Sequence, residues 1–149
     1  MTVTKGLSHD PNAYEWVRLS TLKHHPKNPR RGNVEAIRES LRAHGVIRPI
    51  VVSRKTRRVL AGNHTLKAAR AEGLDALPVV WLDDLTPEQE VKILLADNRT
   101  SDMGGYNDAV LAELLQGLAD AGDLLGTGYD AGALDDLLAS LASPQEPQP

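Results

Sequence analysis

The sequence has no cysteine and no phenylalanine among its 149 residues, and aromatic residues make up only 3% of it. The lack of cysteine excludes disulfides, thiol chemistry and cysteine-based zinc sites. With so few aromatic side chains, the core must consist mainly of leucine, valine, isoleucine and alanine. No apolar stretch approaches the length of a membrane span, and the N-terminus lacks the apolar segment of a signal peptide. These absences favour an intracellular globular protein of ordinary size.

Basic residues are absent from the last third of the sequence, where none follows Arg99. Lysine and arginine are instead concentrated between Arg18 and Arg70, and acidic residues dominate from Asp83 onward. The net charge of −3 argues against binding to DNA over the whole surface. The uneven distribution indicates one anion-attracting face, although ordinary solvated surface charge explains it equally well.

Hydrophobic periodicity predicts the order β-α-β-β-α-β, followed by three helices. The four strands are predicted at residues 15–22, 48–53, 59–61 and 76–82. The helices are predicted to begin after Asn33, at Asn63, after Thr86, at Tyr106 or Asn107, and at Asp130. Between the first strand and the first helix, two prolines predict an irregular basic loop from Lys23 to Gly32. His24 and His25 in this loop are expected to be solvated rather than to bind a metal.

The third predicted helix has a strong start, because Thr86 and Gln89 form a capping box around Pro87 at the first helical position. Its apolar stripe is Val91, Leu94 and Leu95, and it is expected to end at residues 97–99. The leucine stripes of the last two helices are typical of packing surfaces. The alternative is that they bind a partner or a second copy of the chain.

The junction at Gly62 is the most informative stretch for function. A short apolar strand stops at this glycine, and a helix then opens with Asn63, His64 and Thr65. The unpaired N–H groups of a helix start and the positive end of its dipole form an anion site. The three side chains can hydrogen-bond a phosphate or a ribose. The alternative is an ordinary strand-to-helix turn in which Asn63 serves as the N-cap.

Five motifs occur in a fixed order along the chain: NPR at 28–30, HGVIRPIVV at 44–52, VLAGNHTLKAA at 59–69, LPVV at 77–80 and DNR at 97–99. Together they resemble the N-terminal domain of the ParB partition proteins. The resemblance implies an α+β protein of the ParB/sulfiredoxin-like fold, with a small mixed β-sheet, packed helices and further C-terminal helices. It implies a nucleotide-binding domain over residues 14–103. Hydrophobic periodicity predicts a helical extension over 104–142, and polar or Pro/Gln-rich composition predicts flexible tails at 1–13 and 143–149.

The same resemblance implies a site for CTP or ATP with Mg²⁺. The segment from Gly45 to Pro49 would contact the nucleotide, and Gly62–Thr65 would cradle the triphosphate. Asp97 and Asn98 would hold the metal and a phosphate, with Asp97 as the candidate catalytic acid. The full set implied to bind nucleotide is Arg30, Gly45, Arg48, Pro49, Gly62, Asn63, His64, Thr65, Asn98 and Arg99.

The sequence also departs from the partition proteins. Asn63-His64-Thr65 stands where they carry Glu-Arg-Arg, so two arginines that would grip phosphate with paired hydrogen bonds are missing. Asp97 replaces a glutamate and has a shorter reach. The sulfiredoxin activity is excluded because it needs a cysteine. The serine-kinase activity of this fold is disfavoured because no acid occurs between Ser20 and Asn33.

Three functions stay open. The first is a nucleotide-binding module in phage, plasmid or prophage DNA metabolism or partition. It would reach DNA through a partner such as a DNA methyltransferase, because residues 95–118 and 127–138 resemble a region that precedes a methyltransferase in phage and prophage proteins. The second is an NTPase or a ParB-like DNA nuclease, and the third is an interaction protein with a decayed pocket. We expect a cytoplasmic location in a bacterial or phage-infected cell and no membrane partner, and a homodimer stays open.

Overall fold

A computed structural model describes residues 13–143 and contains a five-stranded mixed sheet with five helices. The elements are β1 (Glu15–Arg18), β2 (Lys23–His24), α1 (Val34–His44), β3 (Ile50–Ser53), β4 (Arg58–Ala61), α2 (Asn63–Ala71), β5 (Ala76–Leu82), α3 (Pro87–Met103), α4 (Asp108–Asp120) and α5 (Ala131–Ala142). This architecture confirms the predicted α+β class. The predicted tails fall outside the described residues, apart from residues 13 and 143.

The strands lie in the order β1-β5-β3-β4-β2. The β1–β5 and β3–β4 pairs are antiparallel, whereas β3–β5 and β2–β4 are parallel. Apart from Trp81, the main core cluster is aliphatic, as the shortage of aromatic residues requires. It joins buried residues of the sheet to Leu66 and Ala69 of α2, so this helix is held against the sheet directly after β4.

The predicted first strand is interrupted in the structure. A 3₁₀ turn at Leu19–Thr21 separates β1 from β2, and Arg70 stabilises it by donating to the carbonyls of Leu19 and Leu22 at 3.1 and 2.8 Å. Lys23–His24 then pairs with β4, so the prediction of a wholly irregular loop was wrong at its first two residues. Two residues are too short for a periodic signal, and their pairing partner lies far along the chain.

The helix starts were predicted well. The side chains of Asn33, Asn107 and Asp130 accept hydrogen bonds from N–H groups of the first turns of α1, α4 and α5. The capping box of α3 is present, with Pro87 inside it. None of the helices in residues 13–143 has both the length and the apolar character needed to cross a membrane.

The predicted end of α3 was wrong, because the helix continues beyond residues 97–99 to Met103. The hydroxyls of Thr100 and Ser101 donate to the carbonyls of Ala96 and Asp97 at 2.9 and 3.0 Å, which accommodates both side chains within the helix. The buried stripe also differs from the prediction, since Leu94 is buried whereas Leu95 is about half exposed.

The leucine stripes of the extension are only partly used for packing. Leu115 of α4 and Leu134 of α5 are buried, whereas Leu114 and Leu118 of α4 remain exposed. The prediction of packing surfaces is therefore confirmed for one side of each helix.

Glu72, at the end of α2, provides a test of how α1 and α2 are joined. Its carboxylate accepts hydrogen bonds from Arg42 at 2.8 Å and Arg38 at 2.7 Å, and these bonds lower the pKa of Glu72 from 4.5 to about 2. Because the folded pKa lies below the unfolded one, the stabilisation is present above the unfolded pKa and is lost as the pH falls through the folded one. We expect Glu72→Gln to be less stable than wild type at neutral pH, with the difference shrinking between about pH 5 and pH 2.

The measurement is urea unfolding of both proteins at a series of pH values. Glu88→Gln is the control, because Glu88 is an exposed glutamate near the start of α3. A difference between Glu72→Gln and wild type that does not change with pH would contradict the assigned role of the carboxylate.

Candidate functional site

The junction between β4 and α2 has a backbone that only glycine accommodates. Gly62 adopts φ 105° and ψ 23°, and a Cβ there would lie 2.4 Å from the Cγ2 of Ile50. The first hydrogen bond of α2 runs from the Leu66 N–H to the Gly62 carbonyl at 2.9 Å. Within residues 13–143, the N–H groups of residues 63–65 have no backbone or side-chain acceptor. The helix therefore presents three unpaired donors at its start.

Asn63 is not the N-cap that the alternative interpretation expected, because Gly62 occupies that position. The Asn63 side chain is buried, where its Oδ1 accepts from the His25 N–H at 3.0 Å and its Nδ2 donates to the Val59 carbonyl at 2.9 Å. The side chain therefore bridges the basic loop and β4, with one end bonded to each. What Asn63 still presents to a ligand is its backbone N–H.

His25 is buried, so the prediction that it is solvated was wrong, whereas His24 is exposed as expected. The His25 Nδ1 accepts from the Lys27 N–H at 3.1 Å, and the His25 carbonyl accepts from the Asn28 N–H at 3.3 Å. Burial, followed by the charge of Arg58, lowers the pKa of His25. Within residues 13–143 no cluster of three or more histidine or acidic residues is suited to a metal. The hydrogen bonds of His25 to Lys27, Asn28 and Asn63 hold the basic loop in its conformation.

The basic loop continues from this anchor to the C-terminal half of α3. Arg30 Nη1 lies 3.1 Å from the Asp102 carboxylate and donates to the Asn98 carbonyl at 3.4 Å. Asn98 Nδ2 in turn donates to the Asn28 Oδ1 at 3.3 Å. These contacts bring the end of α3 opposite the start of α2.

Between these elements lies a cleft made of three adjoining cavities of about 680, 270 and 230 Å³, all lined in part by Arg48 and Thr65. Ten of the eleven residues that the sequence assigned to the site line at least one cavity. They are Arg30, Gly45, Arg48, Pro49, Gly62, Asn63, His64, Thr65, Asp97 and Asn98. Residues that lie 68 positions apart in the sequence are thereby brought to one cavity.

Arg99 is the exception and lines none of the three cavities. Successive residues of an α-helix are rotated by about 100°. Asp97 and Ser101 therefore share the face of α3 that meets the cleft, whereas Arg99 projects from the other side. Asp97 and Arg99 are separated in this way because α3 stays helical through residue 99 and ends only at Met103.

The cleft contains separated charges of both signs. Arg48 lines all three cavities, and within residues 13–143 no acid forms an ion pair with it. Asp97 lines the two cavities nearest Gly62 and likewise has no ion pair in the described part of the chain. An anion on the unpaired N–H groups of α2 would therefore meet the guanidinium of Arg48, which has no ion pair within residues 13–143, and one carboxylate able to hold a bridging cation.

Sequence reasoning missed one wall of the cleft. Gly126, Thr127 and Gly128 line the 270 Å³ cavity, and Thr127 also lines the largest one. These residues lie between α4 and α5, where the sequence shows only a glycine-rich connection. The two glycines that flank Thr127 both have positive φ, of 82° and 81°, but a glycine pair in a connection does not reveal what the connection packs against.

The ParB N-terminal domain family matches residues 4–99, which is more than half of the chain. The chain belongs to this family. A probable plasmid-partitioning protein ParB from Thermus thermophilus is 34% identical over 90 residues, which are 58% of this chain and 30% of the relative. The chain thus matches less than a third of that relative's length.

Solved structures agree on the fold of this ParB N-terminal domain family member. A C-terminally truncated ParB from Caulobacter crescentus, complexed with CTP-γ-S, has a TM-score of 0.70 at 20% identity, covering 89% of this chain and 80% of that one. A Pnob8-like ParB-N domain has a TM-score of 0.52 at 19% identity, covering 73% and 45%. At these identities the likeness establishes the fold alone.

The glycine requirement at the junction can be tested by comparing two substitutions. Gly62→Ala and Gly73→Ala both place a side chain at positive φ, but a Cβ at residue 73 has open space around it. We expect Gly62→Ala to lower the free energy of unfolding by about 1–3 kcal/mol more than Gly73→Ala, because the Ile50 side chain must move. Urea unfolding measures both variants, and equal losses would show that the contact with Ile50 costs nothing.

Proposed function

We propose that this chain is a nucleotide-binding module that takes CTP, or alternatively ATP, together with Mg²⁺. The observation that carries the proposal is that ten separate residues line one continuous cleft at the unpaired N–H groups of a helix start. The complex of the Caulobacter ParB with CTP-γ-S supports CTP as the first candidate.

The phosphates would lie at the start of α2, where the N–H groups of residues 63–65 point away from the helix. Thr65 and His64 line the same space. Because His64 and Thr65 stand where the partition proteins carry two arginines, the cationic contribution has to come from elsewhere. Arg48, and Arg30 from the loop, are the cations that line the largest cavity.

The residues around Asp97 fit a magnesium ion. Magnesium is commonly held by one or two carboxylates together with substrate phosphates, and it keeps several waters. Asp97 lines the cavities on the phosphate side of the cleft. Asn98, whose amide nitrogen donates to Asn28, would supply the second oxygen. The ion would neutralise phosphate charge in place of the missing arginines, and Asp97 is also the candidate acid if the nucleotide is hydrolysed.

We further propose that the module acts in partition or in phage or prophage DNA metabolism. It would contact DNA through a partner protein or through a segment outside the residues that match the family. The Thermus relative is a probable plasmid-partitioning protein, most of whose length lies outside the match. A DNA methyltransferase as the partner, and a homodimer as the assembly, belong to this proposal. Affinity capture with a methyltransferase from the same genome and light scattering would test these two points.

The first prediction on binding compares Arg48→Met with Arg99→Met. The resemblance assigned both arginines to the nucleotide, but only Arg48 lines the cleft. Hydrogen bonds to a charged group are worth about 1.5–3 kcal/mol. Arg48→Met should therefore weaken nucleotide binding about tenfold to a hundredfold, whereas Arg99→Met should bind the nucleotide as wild type does. Isothermal titration with CTP and Mg²⁺, repeated with ATP, GTP and UTP, measures this. Absence of binding to wild type by all four nucleotides would overturn the proposed function.

The second prediction concerns the metal. Wild type should bind CTP more tightly when Mg²⁺ is added, and Asp97→Asn should lose most of that gain because the carboxylate ligand is gone. The same titrations with and without Mg²⁺ provide the measurement. Glu88→Gln is the control, since it removes an acid from α3 outside the cleft. An unchanged magnesium effect in Asp97→Asn would remove Asp97 as the ligand.

A further inference from the structure

The connection between α4 and α5 folds back onto α1, where it lines the cleft. The Gly126 N–H donates to the Glu39 carboxylate at 2.7 Å, and the His44 Nε2 lies 3.1 Å from the Gly126 carbonyl oxygen. Both polar groups of one backbone residue are therefore held by side chains of α1. The extension is attached to the nucleotide-binding domain at a defined point of the cleft.

The same connection also holds its own shape. The Thr127 hydroxyl donates to the Leu124 carbonyl at 2.6 Å and accepts from the Tyr129 N–H at 3.1 Å. The left-handed backbone at Gly126 and Gly128 on either side of Thr127 allows the chain to turn within these few residues. The segment therefore presents a shaped surface to the cleft.

The surface that it faces differs in character from the phosphate end. The 270 Å³ cavity beside Gly126–Gly128 is lined by the aliphatic side chains of Ile37, Leu41, Val46 and Ile47, and it meets the main cleft at Arg48 and Thr65. A partly aliphatic cavity that adjoins an anion site is suited to the uncharged part of a ligand whose phosphates occupy the polar end.

We propose that Gly126–Gly128 is a wall of the ligand cleft, positioned by Glu39 and His44, and that it contacts the nucleoside part of the nucleotide. The proposal rests on the proposed nucleotide-binding function and assigns the helical extension a place in the same site. Thr127 is the residue of the wall that contacts ligand, whereas Glu39 and His44 are positioning residues.

Gly126 provides a sharp way to detach the wall. A Cβ at this position would lie 2.6 Å from the His44 Nε2 and 2.7 Å from the Ala43 Cβ, so Gly126→Ala forces the segment away from α1. Gly122 is the matched control in the same connection, because it also has positive φ, at 71°, but a Cβ there meets nothing within 4 Å. Both substitutions strain the backbone, and only one disturbs the contact.

The experiment titrates the full chain with CTP and, separately, with inorganic tripolyphosphate, which has no nucleoside. We expect Gly126→Ala to bind CTP on the order of fivefold to tenfold more weakly than wild type, because the contact between the wall and the nucleoside is lost. Binding of tripolyphosphate should be unchanged. Gly122→Ala should match wild type for both. Glu39→Ala should repeat the effect of Gly126→Ala, and Glu39→Gln, which keeps an oxygen acceptor, should restore CTP binding.

The possible outcomes separate this proposal from the one on which it rests. If wild type binds CTP and both Gly126→Ala and Glu39→Ala bind it as tightly as wild type does, the proposal that Gly126–Gly128 contacts the nucleoside is overturned. The proposed nucleotide function then stands. Equal losses of CTP and tripolyphosphate would also overturn the wall, because they indicate general damage to the cleft. If Gly126→Ala does not fold, the comparison of Glu39→Ala with Glu39→Gln decides. If wild type binds neither compound, both proposals fail.

Discussion

The absence of a side chain at Gly62 allows β4 to turn into α2 within a single residue, because the backbone there has φ 105° and a Cβ would collide with Ile50. Because the turn is that tight, the first N–H groups of α2 open directly onto the cleft rather than into a longer loop. Asn63 then attaches the junction to His25 and Val59. The position of the basic loop, which faces α3 across the cleft, depends on this geometry.

The orientation of α3 on the other side of the cleft depends on an acidic side chain that the structure buries completely. Glu90 in the first turns of α3 is fully buried; its carboxylate accepts a hydrogen bond from the Thr56 hydroxyl and lies 4.0 Å from the Arg58 guanidinium. Asp97 follows Glu90 by two helical turns and so occupies nearly the same face of α3. Fixing Glu90 against β4 therefore directs Asp97 into the cleft. In the sequence, Glu90 is indistinguishable from the solvated acids that commonly occupy a helix start.

The two halves of the charge distribution meet in this cleft. Arg30 and Arg48 come from the basic half, and Asp97 and the wall at Gly126–Gly128 come from the acidic half. The cleft therefore has Arg30 and Arg48 from the basic half of the chain and the Asp97 carboxylate from the acidic half. This arrangement suits a phosphate accompanied by a metal ion better than a bare polyanion, for which a carboxylate in the cleft would be repulsive.

Features that depend on a few neighbouring residues could be predicted from the sequence alone. They include the caps at Asn33 and Thr86 and the glycine turn at Gly62, because each is encoded by residues that act within one turn of the backbone. The family could also be predicted, because the order and spacing of the motifs can be read directly along the chain. The tertiary structure alone decided the burial of His25 and Glu90, the exclusion of Arg99 from the cleft and the attachment of residues 126–128 to α1. Those outcomes depend on contacts between distant segments and on the full length of α3, and no local pattern of residues carries that information.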